Sequence, residues 1–535
     1  MEFTINQYFS KQNGRCGYCK GLKTSVSHGM HSYTMFPQDY QELIDRGWRR
    51  SGLYCYKPLN NETCCPCYTI KCDALEFKLN KSHKKILKRM TRFLRDGKKD
   101  KSEESGTANA VKQVKDDGGA TDGAVNEMDT IGGMNDEPRE PNLPITDVDL
   151  AVVAAANPEK HESARKQHES FDDQQSTQPE SVSNSTTESA DVADGQIATK
   201  KSHNATNVQC KKAKIIRLER RQAKIVAAGG VQVAESKKAA TKKQTNAQEK
   251  TLADYFADAS PSDKHKLQLK LVHVKSQEFK DTLDTTYALY QKYQTIIHND
   301  PPTLISDYLE FLQESPVKHK KTRDGPAVGY GSFHQQYWLD DKLIAVAVID
   351  ILPYCVSSVY FFYDPDYSFL SLGTYGSLRE IDLVQQLADK VPALKYYYMG
   401  FYIHSCPKMR YKGRLTPSYL LCPEVYTWHL LTDEIRDKLN QNKYQRFNAN
   451  TDAKDVDDFQ DSDLNKVVLL YDNTCLTYRQ YIQSFKIPSI DNMLDVIRSR
   501  IYKKLTGDDD DRAVVIEYGK LVGKSLSHRM LYVKT

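Results

Sequence analysis

The chain has 535 residues, room for roughly two to four domains, and its 39% hydrophobic and 27% charged residues fall short of a wholly globular composition. No apolar run approaches the roughly 18 residues that cross a bilayer, which excludes a membrane-spanning helix and a membrane partner. Met1–Ser10 has no basic segment followed by an apolar one, so the chain is expected in the cytoplasm, with the nucleus as a second compartment. The net charge of +5 implies no partner by itself.

Residues 1–95 read as a cysteine-rich N-terminal domain holding Cys16, Cys19, Cys55, Cys64, Cys65, Cys67 and Cys72. In a reducing compartment such clustering points to metal or catalysis rather than disulfides. Cys16-Gly17-Tyr18-Cys19 lets two thiolates face one ion. Cys64-Cys65-Pro66-Cys67 offers the other half, with Cys72 or His28 and His31 nearby. Four thiolates suit zinc and, equally, an iron–sulfur cluster. A set of buried reduced thiols stands as the alternative, because a second Cys-x-x-Cys is missing.

Lys78–Lys101 carries 11 Lys or Arg against Asp96 and Asp100. Ile86, Met90, Phe93 and Leu94 share one helical face, which leaves Lys84, Lys85, Lys88, Arg89 and Arg92 to neutralise phosphates or simply to be solvated. From 96 to 262 the only aromatics are Phe171, Tyr255 and Phe256, so the segment reads as a long disordered linker unable to offset chain entropy. Its basic block Lys211–Lys224 is a nuclear signal, a nucleic-acid contact or plain linker.

A second folded domain, 263–430, opens with a strand at Leu267–Val274. A helix follows with Leu283, Tyr287, Tyr290 and Ile297 at helical spacing. Strands Lys342–Asp350 and Cys355–Tyr363 flank a Pro353 turn. A glycine-bearing turn, Ser371–Gly376, leads into a helix at Ser377–Ala388 and a strand at Lys395–Tyr402. This order is α+β. Residues 431–535 read as a variable C-terminal extension, a small strand–helix appendage.

Just before the strand pair, His334, Gln335, Gln336 and Tyr337 crowd polar groups together, either as a satisfied network or as a substrate-lining edge, the latter being the expectation. Asp350 and Asp364 end adjacent strands, where carboxylates line clefts or cap turns. A CoA-dependent acetyltransferase would place Gln or Arg at Leu370 and a small residue at Tyr375 to cradle a pyrophosphate. Neither is present, so CoA is disfavoured as a ligand.

Cys16–Cys19, Tyr40–Gly52 (YQELIDRGWRRSG) and Cys64–Ile70 resemble the N-terminal domain of eukaryotic arginyl-tRNA–protein transferases. Tyr330–Pro353, Ser357–Gly373 and Tyr396–Gly413 resemble that family's C-terminal domain over roughly 265–430. The resemblance implies a GNAT-like transferase domain that uses Arg-tRNA as co-substrate in place of an acyl-CoA. It implies transfer of arginine to the α-amino group of proteins beginning with Asp, Glu or oxidised Cys, marking them for N-degron degradation by ubiquitin and the proteasome. It also implies a zinc or iron–sulfur site at Cys16, Cys19, Cys64 and Cys65, although Cys67 stands where the family usually has Gln.

Within that frame His334, Gln335, Gln336 and Tyr337 are expected to line the reaction centre, one glutamine donating to the oxyanion. Asp350 is expected to anchor the arginyl guanidinium, with Asp364 and Glu380 as other candidate carboxylates. Lys408, Arg410 and Lys412 are candidates for the acceptor's acidic residue or for tRNA. Lys84, Lys85, Lys88, Arg89 and Arg92 are expected on tRNA phosphates. Two readings from other classes are a metal-nucleated nucleic-acid adaptor without catalysis and a CoA-dependent acetyltransferase.

Overall fold

From Gly331 to Tyr363 the chain is rich in β-branched, aromatic and small apolar residues, and it folds as three consecutive antiparallel strands. The first turn falls at Asp340, whose φ of +54° is one that aspartate tolerates better than most side chains. The computed structural model describes residues 3–98, 250–258, 260–484 and 511–534, all in one compact unit. The expected linker lies outside the described residues except at its ends. Its last part is ordered as a short helix.

In chain order the first strands are β1 (Ile5–Gly14), β2 (Ser25–Thr34), β3 (Arg49–Ser51), β4 (Tyr54–Pro58) and β5 (Tyr68–Asp73). Then come β6 (Leu267–His273), β7 (Gly331–Leu339), β8 (Lys342–Ile351), β9 (Cys355–Tyr363) and β10 (Tyr396–Tyr402). β11 (Ser418–Leu421), β12 (Trp428–Leu430), β13 (Val468–Tyr471), β14 (Thr474–Thr477) and β15 (Leu531–Val533) follow. The helices that matter below are α1 (Pro37–Ile44), α2 (Lys81–Asp96), α3 (Leu252–Ala257), α4 (Gln277–Asp281), α5 (Leu283–Tyr293), α6 (Leu372–Ala388) and α7 (Asp511–Val522).

The strands form an eight-stranded sheet, β12-β11-β5-β10-β9-β8-β7-β6, and a seven-stranded sheet, β14-β13-β15-β1-β2-β4-β3. Neither respects the expected boundaries. β5, from the cysteine-rich region, lies antiparallel between β11 and β10, and all six of its residues are buried, as befits a strand covered on both faces. In the second sheet the C-terminal β15 runs parallel to both β1 and β13, with Ile5 opposite Leu531. The extension expected as an appendage thus supplies Val515, Tyr518, Val522 and Met530 to the core around Tyr8, Met30 and Trp48.

Alternation along the strands sorts the large sheet's two faces. Tyr360 and Phe362 meet Tyr290 of α5, whereas Phe361 meets Tyr337 and Gly376 of α6. Helices therefore cover both faces. α6 begins at Leu372, earlier than expected, carrying Gly373 and Gly376 inside the helix. A Cβ at Gly376 would lie 2.4 Å from Phe361, so glycine is what allows the helix to lie this close to β9. α2 is capped by Asn80, whose side chain accepts from the His83 amide at 2.9 Å, and it ends at Gly97 with φ +64°. Its buried face is His83, Ile86, Leu87, Met90 and Phe93.

Removing residues 511–535 takes β15 from between β13 and β1 and empties part of the core. Such a chain is expected to become protease-sensitive within its first 60 or so residues, where the full chain is protected. Limited proteolysis read by mass spectrometry would show it, and unchanged protection there would contradict the shared sheet.

Candidate functional site

The cleft opens where two neighbouring strands part. β10 runs parallel to β9 only across Tyr396–Tyr398 and Cys355–Ser357. Its pairing with β5 then shifts register between Tyr398 and Phe401, and Gly400 takes φ +66°. Beyond that point the strands diverge around a cavity of about 190 Å³, walled by β9, β10, α6, β3 and the segment around Lys408–Lys412.

Opposite charges face this cavity. Arg49 of β3 is 5% exposed, and among the described residues its guanidinium donates to the carbonyls of Ile44 (3.2 Å), Trp48 (2.6 Å) and Gly400 (3.4 Å). No carboxylate is among these partners, and its Nε has none. Lys408 and Lys412 lie along the same cavity, Lys412 donating to the Phe401 carbonyl at 3.0 Å. Burial, and Arg49 beside it, push the Lys412 amine down to about 7. Glu380 of α6 is 1% exposed, and one of its oxygens, Oε2, has no hydrogen-bond partner. Burial raises its carboxyl to about 7, although the hydroxyls of Tyr397 and Ser358 pull the other way.

Of the residues predicted from sequence, Glu380, Lys408 and Lys412 converge on the cavity. The polar cluster does not. His334 bonds the Leu312 carbonyl at 2.9 Å, and burial lowers its pKa to about 4, so it is a neutral core histidine. Gln336 donates to Thr282 at 2.8 Å and accepts from Trp338 at 3.0 Å, while Tyr337 donates to Gln335 at 2.9 Å. All four are buried within the sheet and its helices, and none lines the cavity. The expectation of a substrate-lining edge gives way to a hydrogen-bonded core network, in which Nδ1 of His334 has no partner among the described residues.

Asp350 is also spoken for. Arg50 Nε and Nη2 hold its two oxygens at 2.8 and 2.7 Å, with Ser332 donating as well, and both partners are fully buried. Both oxygens are engaged, and Asp350 is buried outside the cavity lining. Asp364 caps the turn after β9 and pairs with Lys292 and Lys342; burial would raise its carboxyl, but these amines hold it below the usual range. Arg410 donates to the His404 carbonyl at 2.8 Å, outside the cavity lining. Arg49 escaped the sequence reading, although it lies in the stretch Tyr40–Gly52 that carried the resemblance.

On α2, Lys85, Lys88 and Arg92 are exposed, and Lys84 and Arg89 are half-buried. Arg89 reaches the Phe369 carbonyl at 2.5 Å and Ser371 at 3.2 Å. The basic face is thereby fastened to the N-terminus of α6, next to the cavity-lining Gly373.

The Sγ atoms of Cys16, Cys19, Cys64 and Cys65 lie within 4.8 Å of one another, close to the spacing of four thiolates around one ion. The Gly21 amide and then the Cys64 thiol hold Cys19 down to about 6. The donor set fits a bound metal. Cys67 stands apart: Asn60 clamps its backbone and its thiol bonds the Cys65 carbonyl at 3.2 Å. Tyr18, inside the Cys16–Cys19 loop, lines the cavity, and Cys16 and Cys65 pack on Phe401.

If Asp350 serves only to neutralise Arg50, Asp350→Asn should destabilise the fold by about 3–5 kcal/mol, because a buried guanidinium loses its counter-charge. Denaturant unfolding measures this. A fully stable Asp350→Asn chain with altered aminoacyl selectivity would restore Asp350 as a substrate anchor.

The two halves of the cavity fall in two stretches with known relatives. One matches the family model described as arginine-tRNA-protein transferase, N terminus, over residues 14–85, and the other the model of its C terminus, over 285–422. The chain is 49% identical to arginyl-tRNA–protein transferase 1 of Drosophila melanogaster across 100% of both chains. It is 35% identical to arginyl-tRNA–protein transferase 2 of Arabidopsis thaliana over 78% of this chain and 73% of that one. A Campylobacter jejuni aspartate/glutamate leucyltransferase is 42% identical over 85 residues, 16% of this chain and 34% of its own. Arg49 lies in the first matched stretch and Glu380, Lys408 and Lys412 in the second, and the identity runs the full length: the chain belongs to the arginyl-tRNA–protein transferase family.

Proposed function

We propose that the chain transfers arginine from Arg-tRNA to the α-amino group of proteins beginning with Asp, Glu or oxidised Cys, feeding their N-degron degradation in the cytoplasm. The observation that carries this reading is the pair of opposed charges in one cleft: a carboxylate oxygen of Glu380 without a partner, and Arg49 without a carboxylate. Glu380 suits the arginyl guanidinium, and Arg49 with Lys408 suits the acidic side chain of the acceptor. The splayed parallel pair beside α6 supports a GNAT-like fold for the transferase half.

The donor is an activated ester. Attack by the neutral α-amine forms the amide bond and breaks the ester bond, and the proton shed by the attacking nitrogen passes to the departing 3′ oxygen, which leaves as the hydroxyl of the tRNA; before attack the acceptor's ammonium form has one proton to give up to solvent. With a reference pKa near 7.7–8.0, that amine needs little help to lose it. The chain's work is therefore placement, with charge at each end of the two substrates. The thiol loop carrying Tyr18 would hold zinc or an iron–sulfur cluster, whose contribution is to fix that loop. One zinc per chain is the expected result of elemental analysis, and iron with visible charge-transfer absorption would assign a cluster instead.

A guanidinium pairs only with ionised Glu380. Arg-tRNA affinity should thus be full above pH 7 and fall by up to about tenfold per unit below it. Glu380→Gln should weaken binding about ten- to a hundredfold and flatten this profile. Equilibrium binding with Arg-tRNA between about pH 6 and 8 tests both, and a flat wild-type profile would remove Glu380 from arginine recognition. A transfer assay with charged tRNA and an Asp-initiated peptide separates this function from the adaptor and acetyltransferase readings.

Replacing Lys85, Lys88 and Arg92 by Gln should weaken all tRNAs alike and lower the slope of log affinity against log salt by about 2–3, one phosphate per residue. An unchanged slope would make α2 a merely solvated face.

A further inference from the structure

Five consecutive residues of β9, Ser357 to Phe361, line the cavity. Side chains of a strand alternate between its faces, so five in a row around one cavity means that the strand presents its edge, with its main-chain N–H and C=O groups. β8 covers the other edge of β9 from Val356 to Tyr363, with a bulge at Val359 where the register shifts. On the cavity side β10 covers Cys355–Ser357 only, and among the described residues no strand pairs with Ser358–Tyr363 there. The opposite wall differs: its Gly400 and Phe401 carbonyls already accept from Arg49 and Lys412. An uncovered edge beside a cavity invites a strand.

We propose that the N-terminal main chain of the acceptor protein binds as a short added strand along β9 at Ser358–Phe361, its first side chain turned to Arg49 and Lys408. Charge decides the occupant. The wall across from this edge carries cations that lack a carboxylate, which suits an acidic first residue, and an extended peptide repeats N–H and C=O groups at the spacing of a strand. A nucleotide end offers no such ladder. Recognition through the main chain constrains only the first residue by side chain, so one cleft accepts many sequences beyond it. This deepens the transfer function above and rests on it.

The test leaves the enzyme untouched. Asp-initiated peptides, each with a single N-methyl amide at the second, third, fourth or fifth residue, are compared with the parent as acceptors of the full-length chain and Arg-tRNA. An N-methyl group deletes one N–H, and the N–H groups that point to one neighbour recur at every other residue. KM is expected to rise about three- to tenfold or more at alternate positions and to stay near the parent's at the others, with kcat little changed. A flat scan with an active parent overturns strand addition, leaves arginine transfer standing, and hands the edge to the arginyl end of the tRNA. A uniform loss at every position overturns it as well, since bulk rather than pairing would be sensed. A parent that accepts no arginine sinks both readings.

Discussion

The buried pair between Arg50 and Asp350 joins the two sheets. Arg50 sits on β3 of the seven-stranded sheet and Asp350 on β8 of the eight-stranded one, and neither side chain reaches solvent. Taking both ions out of water costs several kcal/mol each, recovered only because two parallel hydrogen bonds and the Ser332 hydroxyl satisfy the carboxylate. Arg50 and its neighbour Arg49 both line the cavity, Arg50 neutralised by Asp350 and Arg49 with no carboxylate bonded to it among the described residues. One adjacent pair of arginines thus holds the sheets together and charges the cleft between them.

Much of the architecture was legible because it follows from local pattern. The period of two in Leu267–Val274 corresponds to β6 within a residue, and the apolar face of Ile86, Met90 and Phe93 is the buried face of α2. Thiol spacing pointed to Cys16, Cys19 and the run Cys64–Cys67, and the family resemblance picked out Cys16, Cys19, Cys64 and Cys65, the four that gather. What depends on long-range pairing was not. Tyr68–Asp73 carries no sign that it inserts between β11 and β10, and Leu531–Val533 is too short to announce a partner some five hundred residues away. The polar cluster misled for a related reason. His334 and Gln336 are polar residues whose partners, Leu312 and Thr282, come from loops and helices that no strand pattern locates.

The thiol loop and the cleft are one structure. Cys16 and Cys65 bury their side chains against Phe401 and Ile403, which continue the strand that opens the cavity, and Tyr18 stands between two of the thiols while facing it. Asn60 adds a brace by bonding both backbone groups of Cys67. Whatever fixes the four thiols therefore also fixes one wall of the cavity. In a site whose chemistry needs placement more than proton transfer, such rigidity is where rate comes from.

The parallel pairing of β15 with β1 sets an order of events during synthesis. Ile5 precedes its partner Leu531 by 526 positions in the chain and leaves the ribosome that much earlier. At about 5–20 residues per second, β1 waits roughly half a minute to two minutes with that edge uncovered. Its β2 hairpin partner arrives at once, but the flank destined for β15 stays open to any other extended segment in reach. Until β15 arrives, that flank of β1 is a template for strand pairing, and a chain cut short before Leu531 keeps it.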